Sequence, residues 1–91
     1  MMHNNRDSVF KNIHDLISDG INTMKDRNLT ESGYLIWIKY SEKVLELTTK
    51  EYNPSIVLNY LRVVSSLDQG MPPFLKVGKC IDYLIHVLQM I

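Results

Sequence analysis

The chain has 91 residues, of which 45% are hydrophobic and 22% charged, and this predicts one globular domain rather than a disordered segment. Ten basic residues balance ten acidic ones, which disfavours nucleic-acid or anionic-membrane binding, because broad electrostatic binding needs a basic surplus. The sequence contains neither a signal-peptide pattern nor a run of about 18 apolar residues. We therefore expect a cytoplasmic protein that does not cross a membrane.

The first half of the chain has the apolar spacing of two amphipathic helices, over about residues 7–27 and 31–49. In both segments apolar residues recur at i, i+3, i+4 and i+7, which is the period of a helix with one buried face. Gly20 falls on the apolar face of the first helix, where a neighbouring helix could approach closely. Thr30 precedes the second helix as a predicted N-cap.

The second half of the chain predicts two further helices, over about residues 54–69 and 73–91. Asn53 can cap the third helix, and Pro54 suits its first turn because the missing N–H is not needed there. Gly70 is placed to end this helix as a C-cap. Because the connections are short, sequential helices are expected to be antiparallel, and the predicted fold is an all-α, four-helix, up-and-down bundle.

Residues with the chemistry of metal binding or nucleophilic catalysis are isolated along the chain. His3, His14 and His86 lack the spacing of metal ligands, so no metal and no cofactor are predicted. Cys80 and His86 are six residues apart on one predicted helix and point in different directions. The third helix offers Arg62 as its one positive charge, which is little for a DNA-recognition helix. We expect a protein without catalytic residues, and the sequence disfavours nucleic acid as a partner.

One cluster of aromatic and basic residues suggests a small-molecule site in the second helix. Aromatic rings can stack on a nucleotide base while lysines hold its phosphate. The candidate ligand-binding residues are Trp37, Lys39, Tyr40 and Lys43. The alternative interpretation is that Trp37 and several tyrosines are core residues whose polar atoms reach the surface.

The last predicted helix is apolar on more than one face. A helix of a four-helix bundle needs one apolar stripe, and the excess suggests a second surface that a copy of the chain or another protein covers. The predicted core and interface residues are Ile81, Leu84, Ile85 and Leu88, with Val87 and Ile91 at the rim. The alternative is that a helix at the centre of a small bundle is apolar on all sides.

The order of several residues resembles a small helical module found near the N-termini of bacterial anti-phage and TIR-type nucleotide-signalling proteins. The resemblance lies in Trp37 with Leu45 eight residues later, a Tyr-x-x-x-apolar helix, a proline-containing break, and KxGxxIxxL, here Lys76, Gly78 and Ile81. The link TTKEYNP lacks the glycine that the module usually has there. In those proteins the module precedes an effector or sensor domain, whereas this chain stops at Ile91 and is expected to act without one.

The amino-acid composition indicates the kind of genome that encodes the chain. The chain has no alanine but seven asparagines, nine isoleucines and seven lysines, which indicates an AT-rich genome of a bacterium or its phage. We therefore expect a non-enzymatic protein–protein interaction module that forms a homo-oligomer or binds a protein partner in bacterial defence or phage counter-defence. The alternative function is binding of a small nucleotide signal between subunits.

Overall fold

A computed structural model describes residues 6–91 of the chain. It contains four α-helices: α1 Arg6–Met24, α2 Glu31–Thr49, α3 Ser55–Ser66 and α4 Pro73–Met90. No strand occurs among these described residues. The four helices pack on one another, which confirms the prediction of an all-α four-helix bundle.

Helices α1 and α3 end three residues before the ends predicted at residues 27 and 69, because an aspartate side chain competes for the backbone just beyond each end. The Asp26 Oδ1 atom accepts a hydrogen bond from the Asn28 N–H at 2.9 Å, so α1 stops at Met24 rather than at residue 27. Asp68 Oδ1 accepts from the Gly70 N–H at 2.9 Å in the same way. The third helix therefore ends at Ser66, and the prediction that Gly70 is its C-cap is wrong.

The starts of α2 and α3 use the side chains that the sequence indicates. Thr30 is extended and its Oγ1 accepts a hydrogen bond from the Gly33 N–H at 3.0 Å. Asn53 Oδ1 accepts from the Ser55 N–H at 3.1 Å, while Pro54 lies between them as the residue before the first helical position. These bonds satisfy backbone donors that a helix start leaves without partners.

Contacts between residues far apart in the sequence define the direction of the helices. Gly20, late in α1, lies against Ile81 of α4 and Trp37 of α2, and Tyr83 of α4 donates a hydrogen bond to the Ile56 carbonyl at 2.7 Å. Helix α1 is therefore antiparallel to α2 and to α4, and α3 is antiparallel to α4. Helices α2 and α4 also touch across the bundle and run parallel, whereas α1 and α3, as far as the described residues go, do not meet.

The core lies along the inner faces of all four helices, and α1 packs most extensively on α4. It includes a polar group at the junction of α2, α3 and α4. The hydroxyls of Ser41 and Tyr60 are hydrogen-bonded at 2.6 Å, and the Tyr60 hydroxyl is also hydrogen-bonded to the buried Cys80 thiol. This junction fixes α3 against α2, which positions the surface described next.

Candidate functional site

Half of the residues predicted for an interface on α4 belong to the core of the single chain. Ile81, Leu84 and Val87 are buried, so they are not available to a partner on the folded surface, and Val87 is not at a rim. The reason is that α4 contacts α1, α2 and α3. A helix with three neighbours must be apolar on several sides, as the alternative interpretation of α4 held.

The other residues predicted on α4 do not form a continuous apolar surface. Ile85 is 41% exposed, whereas Leu88 and Ile91 are half-buried against the core cluster. Asp82, His86 and Gln89 are exposed beside them. The outer side of α4 is therefore mixed in character rather than an apolar patch.

The four residues predicted to bind a nucleotide separate into two groups. Trp37 is buried in the core against Gly20, and its Nε1 is a buried donor that has no hydrogen-bond partner among the described residues. Lys39 and Lys43 are exposed and line a groove, while Tyr40 is exposed but does not line it. The structure therefore brings the two lysines together and excludes Trp37 from their site.

The groove lies between α2 and α3 and has a volume of about 400 Å³. One wall is the charged stripe of α2, and the other is an apolar stripe of α3. The lining residues, which we call the α2–α3 face, are Lys39, Glu42, Lys43 and Glu46 of α2 with Val57, Leu58 and Leu61 of α3.

The apolar half of the α2–α3 face is open to solvent. Leu58 is 56% exposed and Leu61 38% exposed, beside a half-buried Val57. The sequence predictions for a binding site include neither Leu58 nor Leu61. The available signal was that apolar residues of α3 occupy 56–58, 60–61 and 63–64, which is wider than one helical stripe.

The charged half of the α2–α3 face carries equal numbers of positive and negative groups at adjacent helical positions. None of its four charged side chains forms an ion pair within 4 Å with another described residue. The face therefore combines an exposed apolar stripe with charges that have no ion-pair partner among residues 6–91.

The ionisable groups of the core are held in their neutral forms. Burial raises the pKa of the Cys80 thiol to about 11, so the thiolate that would act as a nucleophile is scarce at neutral pH. Burial likewise raises the pKa of Tyr34 to about 12 and raises the pKa of Tyr60 and of Tyr83. These groups stabilise the interior rather than line an open site.

One charged side chain among residues 6–91 is buried, and it is paired. Lys76 of α4 is 5% exposed, and its Nζ donates to both carboxylate oxygens of Glu31, at 3.2 and 3.1 Å. The ammonium group also lies 5.0 Å from the centre of the Tyr34 ring. The pair joins the starts of α2 and α4.

Residues 6–91 contain no group of three or more histidine, cysteine, aspartate or glutamate side chains able to hold a metal ion. His14 and His86 are exposed on different helices, and His3 lies outside the described residues. Within the same range, no helix is both long enough and apolar enough to cross a membrane.

Comparison with known proteins identifies no relative of the chain. No family model, no curated protein and no solved structure matches the chain. The resemblance to the helical module of anti-phage and TIR-type signalling proteins therefore stays a prediction.

Proposed function

We propose that the chain is a non-enzymatic, cytoplasmic interaction module that self-associates through its α2–α3 face. The observation that carries this proposal is the exposure of Leu58 and Leu61 beside a groove of about 400 Å³. Apolar side chains that border a groove are typical of surfaces that another helix covers. The proposed interface lies on α2 and α3 rather than on α4, where the sequence predicts it, because α4 is largely internal.

The exposed leucines give an estimate of the strength of association. Full burial of a leucine side chain is worth roughly 1.5–3 kcal/mol. Leu58 and Leu61 together expose about one whole side chain per copy, so two copies would gain roughly 3–6 kcal/mol from these four leucines. Association costs roughly 4–15 kcal/mol in lost freedom, so further contacts must contribute. A reversible dimer whose population depends on concentration is the expected result.

The biological setting in bacterial defence or phage counter-defence is part of this proposal and is supported by the resemblance and the composition alone. The residues that carry the resemblance lie inside the bundle: Trp37, Leu45 and Ile81 are buried. They support a similar module fold, and they do not specify what the module binds.

The first experiment measures the solution mass by sedimentation at concentrations from about 10 µM to 1 mM, the range in which weak dimers assemble. The wild-type chain should approach twice its monomer mass of 10.6 kDa. Leu61→Glu should stay monomeric, because a charge would be buried in the apolar half of the face. Leu75→Glu is the matched control, since Leu75 is 44% exposed but lies on α4. A monomeric wild type over the whole range would contradict the proposal.

A second candidate function is binding of a small nucleotide in the same groove. The groove volume lies in the range of small-ligand sites, roughly 300–1,000 Å³, and Lys39 and Lys43 line it. Glu42 and Glu46 line it as well, and their charge opposes a phosphate. Isothermal titration with ATP, cyclic nucleotides and NAD tests this function, with Lys39→Ala/Lys43→Ala as the variant that should lose binding. Trp37 fluorescence is a poor reporter, because Trp37 is buried away from the groove.

A further inference from the structure

We infer that two copies of the chain pair their α2 helices antiparallel, about a twofold axis that passes between Glu42 and Lys43. This inference rests on the proposed self-association and specifies its geometry and its partner, a second copy of the chain. It is carried by the arrangement of charge in the α2–α3 face, which neither the fold nor the core explains.

The four charges form one stripe that reverses its sign about its own midpoint. Lys39, Glu42, Lys43 and Glu46 occupy positions i, i+3, i+4 and i+7 of α2, which places them on one side of the helix. In an antiparallel pair centred between residues 42 and 43, Lys39 lies opposite Glu46 of the second copy. Glu42 then lies opposite Lys43 of the second copy. The twofold axis repeats both pairs, so every charge in the stripe faces an opposite charge.

Other arrangements of the same two helices leave charges unmatched. A parallel twofold pair places each residue opposite its own copy, so Lys39 faces Lys39 and Glu42 faces Glu42. Sliding the antiparallel pair by one helical turn in either direction leaves at most two of the four charges opposite an opposite charge. Like charges in contact oppose association, so the stripe selects one direction and one register.

A second copy gives each charge of the stripe an opposite charge that its own helix does not hold in an ion pair. Within one helix the like pairs at i, i+4, Lys39–Lys43 and Glu42–Glu46, are offset by the opposite pairs at i, i+3, Lys39–Glu42 and Lys43–Glu46. None of the four forms an ion pair within 4 Å with another described residue. Their side chains are therefore free to pair with the opposite charges of a second copy.

The apolar and charged halves of the face have separate roles in this dimer. Solvent-exposed ion pairs each contribute little to stability, roughly 0–1 kcal/mol. Leu58 and Leu61 therefore supply most of the affinity, and the charges set orientation and exclude wrong pairings.

The test exchanges the charges of the stripe and measures the dimer dissociation constant by sedimentation equilibrium. Lys39→Glu/Lys43→Glu makes the stripe wholly negative, and Glu42→Lys/Glu46→Lys makes it wholly positive. Each variant alone should dissociate, with a dissociation constant raised about tenfold or more, because four attractive pairs become repulsive. The variant with all four substitutions restores the alternation with reversed sign and should dimerise like the wild type. A mixture of the two double variants should form a heterodimer.

A control variant at two other lysines separates the loss of paired charges in the stripe from general repulsion between molecules of high net charge. Lys25→Glu/Lys79→Glu changes the formal charge from 0 to −4, two units for each lysine, as Lys39→Glu/Lys43→Glu does. Lys25 and Lys79 are exposed but lie outside the α2–α3 face, so this control should remain dimeric. Far-UV circular dichroism confirms that each variant keeps its helix content.

Self-association and the antiparallel pairing of α2 are refuted by different results. A wild type that never dimerises refutes the self-association itself, and the pairing geometry with it. A wild-type dimer that tolerates Lys39→Glu/Lys43→Glu, or a fourfold variant that stays monomeric while folded, refutes only the antiparallel pairing.

Discussion

Replacement of Gly20 by alanine tests how closely α1 approaches its neighbours. An alanine Cβ at this position would lie 2.8 Å from Ile81 Cγ1 and 2.9 Å from Trp37 Cζ2. Carbon atoms pack best at roughly 3.5–4.0 Å, so atoms from two other helices must move apart. Such overpacking costs about 1–3 kcal/mol, and the upper part applies because the buried indole is rigid. Alanine recovers about 1 kcal/mol of helix propensity, which leaves a net destabilisation of about 1–2 kcal/mol.

Gly78→Ala is the matched control for Gly20→Ala, since both glycines lie inside long helices that pack on each other. A Cβ at Gly78 would meet only the end of the Met24 side chain, with Cε at 3.3 Å and Sδ at 3.9 Å, and this flexible end can move. This variant should therefore be more stable than the wild type by about 0.5–1 kcal/mol. Urea unfolding at one fixed protein concentration measures both variants, because association would alter apparent stability. A Gly20→Ala protein as stable as the wild type would refute the close packing of α1 on α2 and α4.

Two further predictions concern the polar group in the core. Ser41→Ala removes one of the two side-chain partners of the buried Tyr60 hydroxyl, the one at 2.6 Å, and leaves Cys80. It should cost about 0.5–1.5 kcal/mol, the net value of one hydrogen bond. In the Ser41→Ala background Tyr60→Phe should cost less than it does in the wild type, and additive losses in this double-mutant cycle would contradict the hydrogen bond. The unfolded Cys80 thiol ionises from about pH 9, whereas the folded thiol keeps its proton to about pH 11. The contribution of the Cys80 thiol to the free energy of unfolding is therefore fully present below pH 9 and should fall by about 2 kcal/mol between pH 9 and 11. Cys80→Ala should remove this part of the pH dependence in urea unfolding. A Cys80→Ala protein with the same pH profile as the wild type would contradict the prediction.

Much of the bundle can be predicted from the sequence, because helical periodicity and capping residues are local signals. Thr30 caps α2, and Gly20 lies where two helices approach α1, as their positions in the pattern predict. The ends of α1 and α3 differ from the prediction because the polar residues that follow Met24 and Leu67 carry no apolar spacing that fixes where a helix ends. There Asp26 and Asp68 bond to the backbone two residues on, and such bonds compete with a helix without changing its hydrophobic pattern.

The candidate site was harder to predict, because the sequence does not reveal how many neighbours each helix has. The apolar excess of α4 resembles a binding surface until its three neighbouring helices are known, and Ile81, Leu84 and Val87 then become core. The opposite holds for α3, which has two neighbours and leaves Leu58 and Leu61 exposed. Lys39 and Lys43 line one groove, whereas Trp37, which the sequence groups with them, faces inward. Ligand binding by the two lysines stays a prediction.

The limited anchoring of α3 has a consequence for how the protein assembles. This helix has 12 residues, of which Ile56 and Tyr60 are buried, and in the described part of the chain it does not pack on α1. Elements with few buried contacts open at a lower free energy than the whole domain. A second copy seated on the α2–α3 face would hold α3 in place, so ordering of α3 and dimerisation would become one cooperative event. Part of the binding energy would then be spent on completing the fold, and the assembled protein would dissociate and locally unfold together.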